Sequence, residues 1–373
     1  MIRMTNHANP LHATVALVAV LLFDAARVLA QPAAVPAASV PEPVPPPAVT
    51  RVGNVEWGIA VKRPVLQAAC RYCPWGALAE IVKQMMAPYG YDVGICHACS
   101  AANATRTVAK RLASVDPTDR QVALGVSTFG PPAPMDFGVT SLGGVLNAYT
   151  GLTPDLPEGR SLRLIARIEQ PSYLMIAVTR ESGLTDLKQV HERKMPVRIL
   201  GGNAAIQQYY GLSAKDVEAL GGRIYDGGSV LKNENFDVIM GSGVLSNYPE
   251  GNMWYEMTIR KDLIFLPVPE EVRQKLLKDS PLNTLVNLPF RYMKGVPDTP
   301  VASVGTSGTA VYARDDVPEG FAYAVAKAID EHHDLLKWAN MPFTYDATTV
   351  ANGAGVPVHP GAARYYRERG YQK

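Results

Sequence analysis

The side chains best equipped for chemistry are four cysteines in two CxxC pairs, Cys70/Cys73 and Cys96/Cys99, with His97 inside the second pair. Taken without context, the spacing is close to that of a four-thiolate zinc site with His97 as a spare ligand. In an oxidising compartment the same residues would close into disulfides, and three pairings are then possible. A thiolate stabilised at a helix start would suit thiol–disulfide exchange, which fits Cys73 before Pro74 and Cys99 before Ser100. Neither pair has a Gly-Pro interior, and neither is followed by histidine, so c-type haem attachment is not implied. Structural disulfides are the expectation carried forward. A receptor or chaperone for a metal or metal complex and a thiol–disulfide enzyme are the alternatives.

No other residues assemble into a catalytic motif. Beyond the first thirty residues the histidines are His97, His191, His332, His333 and His359. There is no H-E-x-x-H, G-x-S-x-G or P-loop, and Gly241-Ser242-Gly243 stops short of a dinucleotide fingerprint at Ser246. His332-His333, set among Asp330, Glu331 and Asp334, reads as a solvated helix face, and His359 as a hydrogen-bonded structural histidine. Trp254 and Tyr255 read as a loop pair that either walls a cleft or packs between lobes. No catalytic residue, metal or cofactor is expected, and the chain reads as a binding protein and not an enzyme.

The elements that must position these residues alternate between strand and helix. Strands are expected at Val55–Val61, Tyr91–Ile95, Phe137–Thr140, Leu162–Ile168, Tyr173–Thr179, Val197–Leu200 and Phe236–Met240. Helical periodicity marks Trp75–Ala87, where Leu78, Ile81, Val82 and Met85 share a face, with Pro74 at its start. It recurs at Ala101–Ala113, Ala204–Tyr210, Ala214–Leu220, Glu270–Leu277 and Glu319–Leu336. Such alternation implies an α/β fold with mostly parallel sheets covered by helices on both faces.

In parallel sheets, ligands bind beyond the carboxyl ends of the strands. Five segments in such places are small, polar or cysteine-bearing: 70–76, 96–100, 140–141, 201–203 and 241–243. The polar contacts they offer are Arg71, Tyr72, His97, Ser100, Asn103, Thr140, Ser141, Gly202, Asn203 and Ser242, with Trp75 and Tyr173 as apolar walls. Arg71 is the cation among them, and a guanidinium can hold a carboxylate through two parallel N–H bonds.

Residues 1–30 carry Arg3, an unbroken small and apolar run from Ala13 to Phe23, and Val28-Leu29-Ala30, which reads as a cleavable secretory signal peptide. The run is too short to cross a bilayer, so no permanent membrane span is expected after cleavage. Residues 31–50 are proline-rich and read as a polyproline II linker. A formal charge of +2, with acids and bases mixed along the chain, argues against a nucleic-acid partner.

The stretch Val356-Pro357-Val358-His359-Pro360-Gly361-Ala362-Ala363-Arg364-Tyr365-Tyr366-Arg367-Glu368-Arg369-Gly370 resembles the closing motif of TAXI-type extracytoplasmic solute receptors of TRAP transporters. Gly76–Glu80, Ser182–Leu187 and Asp315–Pro318 are similar to further segments of that family. The resemblance implies a two-lobe periplasmic binding protein of type II-like layout, with lobe I at 51–172 plus 308–373 and lobe II at 173–307. It also implies a small solute clamped between the lobes and delivered to TRAP-type membrane permease subunits driven by an ion gradient. The pocket loops depart from the family: Ala68–Pro74, Cys96–Ser100, Thr140–Leu142 and Gly201–Ala204 replace its usual sequences.

Overall fold

The structure is a computed structural model that describes residues 49–52, 55–69, 73–96, 104–112, 134–225, 235–244, 253–291, 293–339 and 341–372. The expected leader and almost all of the expected linker lie outside these residues. Strands β1 (Thr50–Val52) and β2 (Val55–Trp57) pair antiparallel. The strand expected to run to Val61 stops at Trp57, because Gly58 at φ 128° and Lys62 at φ 56° bracket a 3₁₀ turn.

The chain then lays down β3 (Val65–Gln67), α1 (Pro74–Met86), β4 (Gly94–Cys96), α2 (Ala104–Ala109), β5 (Phe137–Ser141), α3 (Leu142–Thr150) and β6 (Leu162–Ile168). It passes into a second sheet through β7 (Ser172–Thr179), α4 (Gln189–Glu192), β8 (Arg198–Gly201), α5 (Ala204–Tyr210), α6 (Ala214–Ala219), β9 (Arg223–Tyr225) and β10 (Val238–Val244). That sheet continues with α7 (Met253–Arg260), β11 (Leu263–Leu266), α8 (Glu270–Asp279), β12 (Asn283–Asn287) and β13 (Ala302–Thr306). Finally β14 (Thr309–Arg314) returns to the first sheet, followed by α9 (Glu319–Glu331) and α10 (Pro360–Glu368).

The first sheet has the order β4-β3-β5-β14-β6 and the second β12-β13-β7-β10-β8-β9, with β11 also on β7. The chain crosses between them at Glu169–Pro171 and again at Ser307–Gly308. The expectation of mostly parallel sheets is corrected here. Among the described residues, the parallel strand pairs are β3 with β4 and β5, and β8 with β9 and β10. The returning strand β14 lies antiparallel to both β5 and β6, and β7 lies antiparallel to β10, β11 and β13. A strand that arrives from another sheet has no βαβ crossover to impose a parallel direction.

Periodicity located the buried face of α1, whereas Leu112, expected to point inward, is exposed. Leu78, Ile81, Val82 and Met85 of α1 are buried against Phe137, Ile165, Val311 and Phe321. β14, missed in the sequence, is buried at every position and therefore shows no alternation to recognise. Trp254 and Tyr255, read as a loop, lie on α7. Trp254 is buried with its ring against Phe265, and Tyr255 is exposed. The closing motif forms α10, and Gly361 is required there because a Cβ would stand 2.0 Å from the Glu319 carbonyl oxygen of α9.

A buried carboxylate fastens this end of the chain. Asp330 on α9 accepts hydrogen bonds from Tyr365 Oη (2.5 Å), Tyr345 Oη (2.7 Å), Arg369 Nε (2.9 Å) and Tyr371 Oη (3.1 Å). Burial alone would raise its pKa, but the three hydroxyls and the guanidinium together hold it below the usual carboxylate value. His359 caps α10 by accepting from Gly361 N at 3.3 Å, and burial depresses its pKa. His333 Nδ1–H donates to the Asp330 backbone carbonyl oxygen (2.6 Å), and the ring stacks on Tyr345.

Candidate functional site

The two crossings create the site. Glu169–Pro171 and Ser307–Gly308 run side by side, tied by Gln170 N–H donating to Ser307 Oγ (3.1 Å) and Thr309 Oγ1 donating to Gln170 Oε1 (2.8 Å). Glu169 is occupied on the same crossing: it pairs with Arg167 at 2.7 Å and accepts from Thr349 Oγ1 (2.7 Å) and from Ser307 Oγ. Gly308, at φ 117°, takes a backbone conformation that L side chains rarely adopt.

Beside the crossings opens a cleft of about 290 Å³. Its walls come from both sheets: Trp75 at the start of α1, Ser141 and Gly143 at the start of α3, Gln170 and Ser172, Val244 at the end of β10, Ser280 and Leu282 between α8 and β12, and Thr306–Thr309. A smaller hollow of about 70 Å³ shares Ser172 and Thr306 with it and adds Asn203, Ser242, Leu276 and Asn283. The described lining is hydroxyl-rich and apolar, with no charged side chain.

Two donors in this lining are unusual. Gln170 is only 8% exposed, and its Nε2 is buried without a hydrogen-bond partner; Trp75 Nε1 is likewise buried and unpartnered. A buried donor left unpaired costs about 1–3 kcal/mol, so native proteins rarely keep one without a reason. The first turn of α3 adds the positive end of its dipole, and Leu142 N–H in that turn already donates to Gly308 O (2.9 Å). Ser141 Oγ already accepts from Gly144 N (3.1 Å), which fixes the helix start.

Of the residues expected in the pocket, the structure brings Trp75 and Ser141 into the cleft and Asn203 and Ser242 into the hollow. Asn203 is the N-cap of α5, its Oδ1 accepting from Ala205 N (3.1 Å) and Ile206 N (3.2 Å). Gly202 is exposed beside it; the neighbouring Gly201 lies so close to β10 that a Cβ would stand 2.4 Å from Met240 O. Thr140 is a buried member of β5 and lines neither cavity. Tyr173 lines neither cavity: β7 alternates, so Ser172 and Leu174 face the cavities while Tyr173 turns to the opposite face with Met175 and Trp254. Arg71, Tyr72, His97, Ser100, Asn103, Cys70 and Cys99 lie outside the described residues. Cys73 and Cys96 are both buried, at the start of α1 and the end of β4. Among the described residues no group of three or more His, Cys, Asp or Glu side chains is placed to hold a metal.

Sequence reasoning missed Gln170, Ser172, Ser280, Asn283 and the second crossing. The stretch Thr306-Ser307-Gly308-Thr309 has the same small polar composition after a strand that marked the other five loops, and only the unrecognised strands on either side concealed it.

Comparison with solved structures finds remote likenesses at low identity. MatC from Rhodopseudomonas palustris with bound malate is 13% identical, covering 74% of this chain and 88% of that one, with a TM-score of 0.40. A TRAP periplasmic solute-binding protein from Sulfitobacter sp. NAS-14.1 with bound β-D-galacturonate is 11% identical, covering 82% and 93%, with a TM-score of 0.36. A binding-protein component of an ABC phosphonate transporter from Pseudomonas aeruginosa is 10% identical, covering 76% and 82%, at 0.37. The family assignment rests instead on residues 133–370, which match the NMT1-like family and span β5 through α10, including both crossings and the closing motif. The chain therefore belongs to the NMT1-like family.

Proposed function

We propose that the protein is a periplasmic solute receptor of the TAXI type, which captures a small carboxylate-bearing solute between two lobes and delivers it to a TRAP-type permease. Lobe I would comprise residues 51–172 and 308–373, and lobe II residues 173–307. The observation that carries this reading is a cleft walled by both sheets at the two chain crossings. A hinge of two short segments is what lobe closure around a ligand requires. The leader read from residues 1–30 would direct export, and no helix among the described residues is long and apolar enough to cross a membrane.

The cysteines enter this reading as cross-links that shape the mouth of the cleft. We take Cys73 as one half of a disulfide, and a bridge of this kind stabilises a fold by roughly 2–4 kcal/mol. Arg71 is the proposed cation for the solute carboxylate. Small-angle scattering and thermal shift on the exported protein, with a panel of periplasmic solutes, test the receptor reading: contraction and a raised Tm with one solute class support it. A protein that neither contracts nor stabilises with any of them is not a receptor. Free-thiol titration with metal analysis on the same preparation tests the cross-links, and four protectable thiols with one equivalent of metal would replace them by a metal site.

A further inference from the structure

Resting on the receptor reading, we infer that the cleft selects small carboxylates lacking an ammonium group, such as 2-oxo and 2-hydroxy acids, over the matching α-amino acids, through uncharged donors that include Gln170 Nε2 and Trp75 Nε1. Three observations converge. Gln170 is more than nine-tenths buried, lines the cleft, and has its Oε1 engaged by Thr309 Oγ1, so the amide end left over is a donor. Trp75, at the start of α1, supplies a second unpartnered donor in the lining, and an indole N–H can only donate. The start of α3, at Ser141 and Gly143, brings the positive end of its dipole to the same wall, its amides at Leu142 and Gly144 being held by Gly308 O and Ser141 Oγ.

A set of N–H donors is satisfied by oxygen acceptors and left unpaired by an ammonium group. No carboxylate stands among the described lining residues, and the neighbouring Glu169 is already engaged by Arg167, Ser307 and Thr349. An α-amino acid would therefore bring its positive charge against donors and find no described anion to meet it. Gln170 also sits on a crossing, so a ligand oxygen that engages it ties occupancy to the segment about which the sheets are joined.

The test uses the full exported chain and calorimetry with three pairs of probes: pyruvate and alanine, 4-methyl-2-oxopentanoate and leucine, phenylpyruvate and phenylalanine. At least one oxo acid is expected to bind at least ten-fold more tightly than its amino acid, and to move the ¹⁵N–¹H signal of the Trp75 indole, assigned from Trp75→Phe. Gln170→Glu, which keeps the acceptor toward Thr309 and removes the donor, is expected to weaken that binding at least ten-fold. If this variant does not fold, the Trp75 signal of the unaltered chain decides alone. Amino acids binding as tightly as their oxo acids, or binding that leaves the Trp75 signal still, overturns the donor set while the receptor reading stands. If no probe and no other solute binds or contracts the protein, the receptor reading fails and this inference with it.

Discussion

The Asp330 cluster and the Gln170 crossing are both buried polar sites, and they are built in opposite ways. Around Asp330 of α9 one carboxylate is surrounded by four donors, Tyr345, Tyr365 of α10, and Arg369 and Tyr371 just after it. At Gln170 the polar groups face a cavity, and two donors there have no partner. A satisfied network rigidifies the fold, whereas an unsatisfied donor in a cleft is a place where stability has been given up for recognition. Asp136 stands between these extremes. It is buried and accepts from Val65 N–H at 2.9 Å, and desolvation pushes its pKa up to about 6 against the opposing pull of that bond, Arg111 and Arg314.

The largest effect should come from Asp330→Ala, which strands three tyrosine hydroxyls and an arginine. A loss of about 3–5 kcal/mol is expected in urea denaturation, with solute affinity unchanged in whatever protein remains folded. A loss below about 1 kcal/mol would mean that the cluster does not fasten the chain end.

Asp136 should give the next largest effect, and with the opposite pH sense. Between about pH 4 and 6 its folded carboxyl holds a proton that the unfolded chain has released, so stability falls as pH rises through this window. The full contribution is about 3 kcal/mol. Comparing denaturation midpoints of the unaltered chain and Asp136→Asn at pH 4 and pH 7 isolates it; identical pH profiles would remove the argument.

Tyr365→Phe takes one of the four donors from Asp330 and should cost about 1.5–3 kcal/mol, the range for a hydrogen bond to a charged group. Trp75→Phe also removes a single buried N–H, but one without a partner. Its stability should stay within about 0.5 kcal/mol of the unaltered chain, or rise. The contrast between these two donor deletions, measured side by side, is the sharpest check on the difference between the two regions. Equal losses would erase it.

How much of this was legible depended on where the information resides. Leu162–Ile168 and Ala204–Tyr210 were located to the residue, because each carries its own periodicity or its own cap, such as Asn203 before α5. The caps at Ser141 and Asn203 were legible because a small polar residue between strand and helix offers a side-chain oxygen to the first helical N–H groups. Which face of β7 meets the two cavities was not legible, because alternation along a strand gives two faces but does not say which one meets a cleft. The crossing strand β14 escaped because a strand buried on both sides has no pattern to betray it.

By itself, the sequence determined the alternation of strands and helices, the lack of a known catalytic motif, the expected leader and linker, and the closing motif that becomes α10. These are local properties, written in spacing and residue type within a dozen positions. Only the tertiary structure decided that β7 and β14 run antiparallel to their neighbours, and that Gln170 Nε2 is buried without a partner beside a cleft. Nothing near Gln170 in the chain distinguishes it from any other glutamine. Its character arises where residue 170 meets residues 307 and 309, since whether a buried donor is satisfied depends on its neighbours in space, which distant parts of the chain supply.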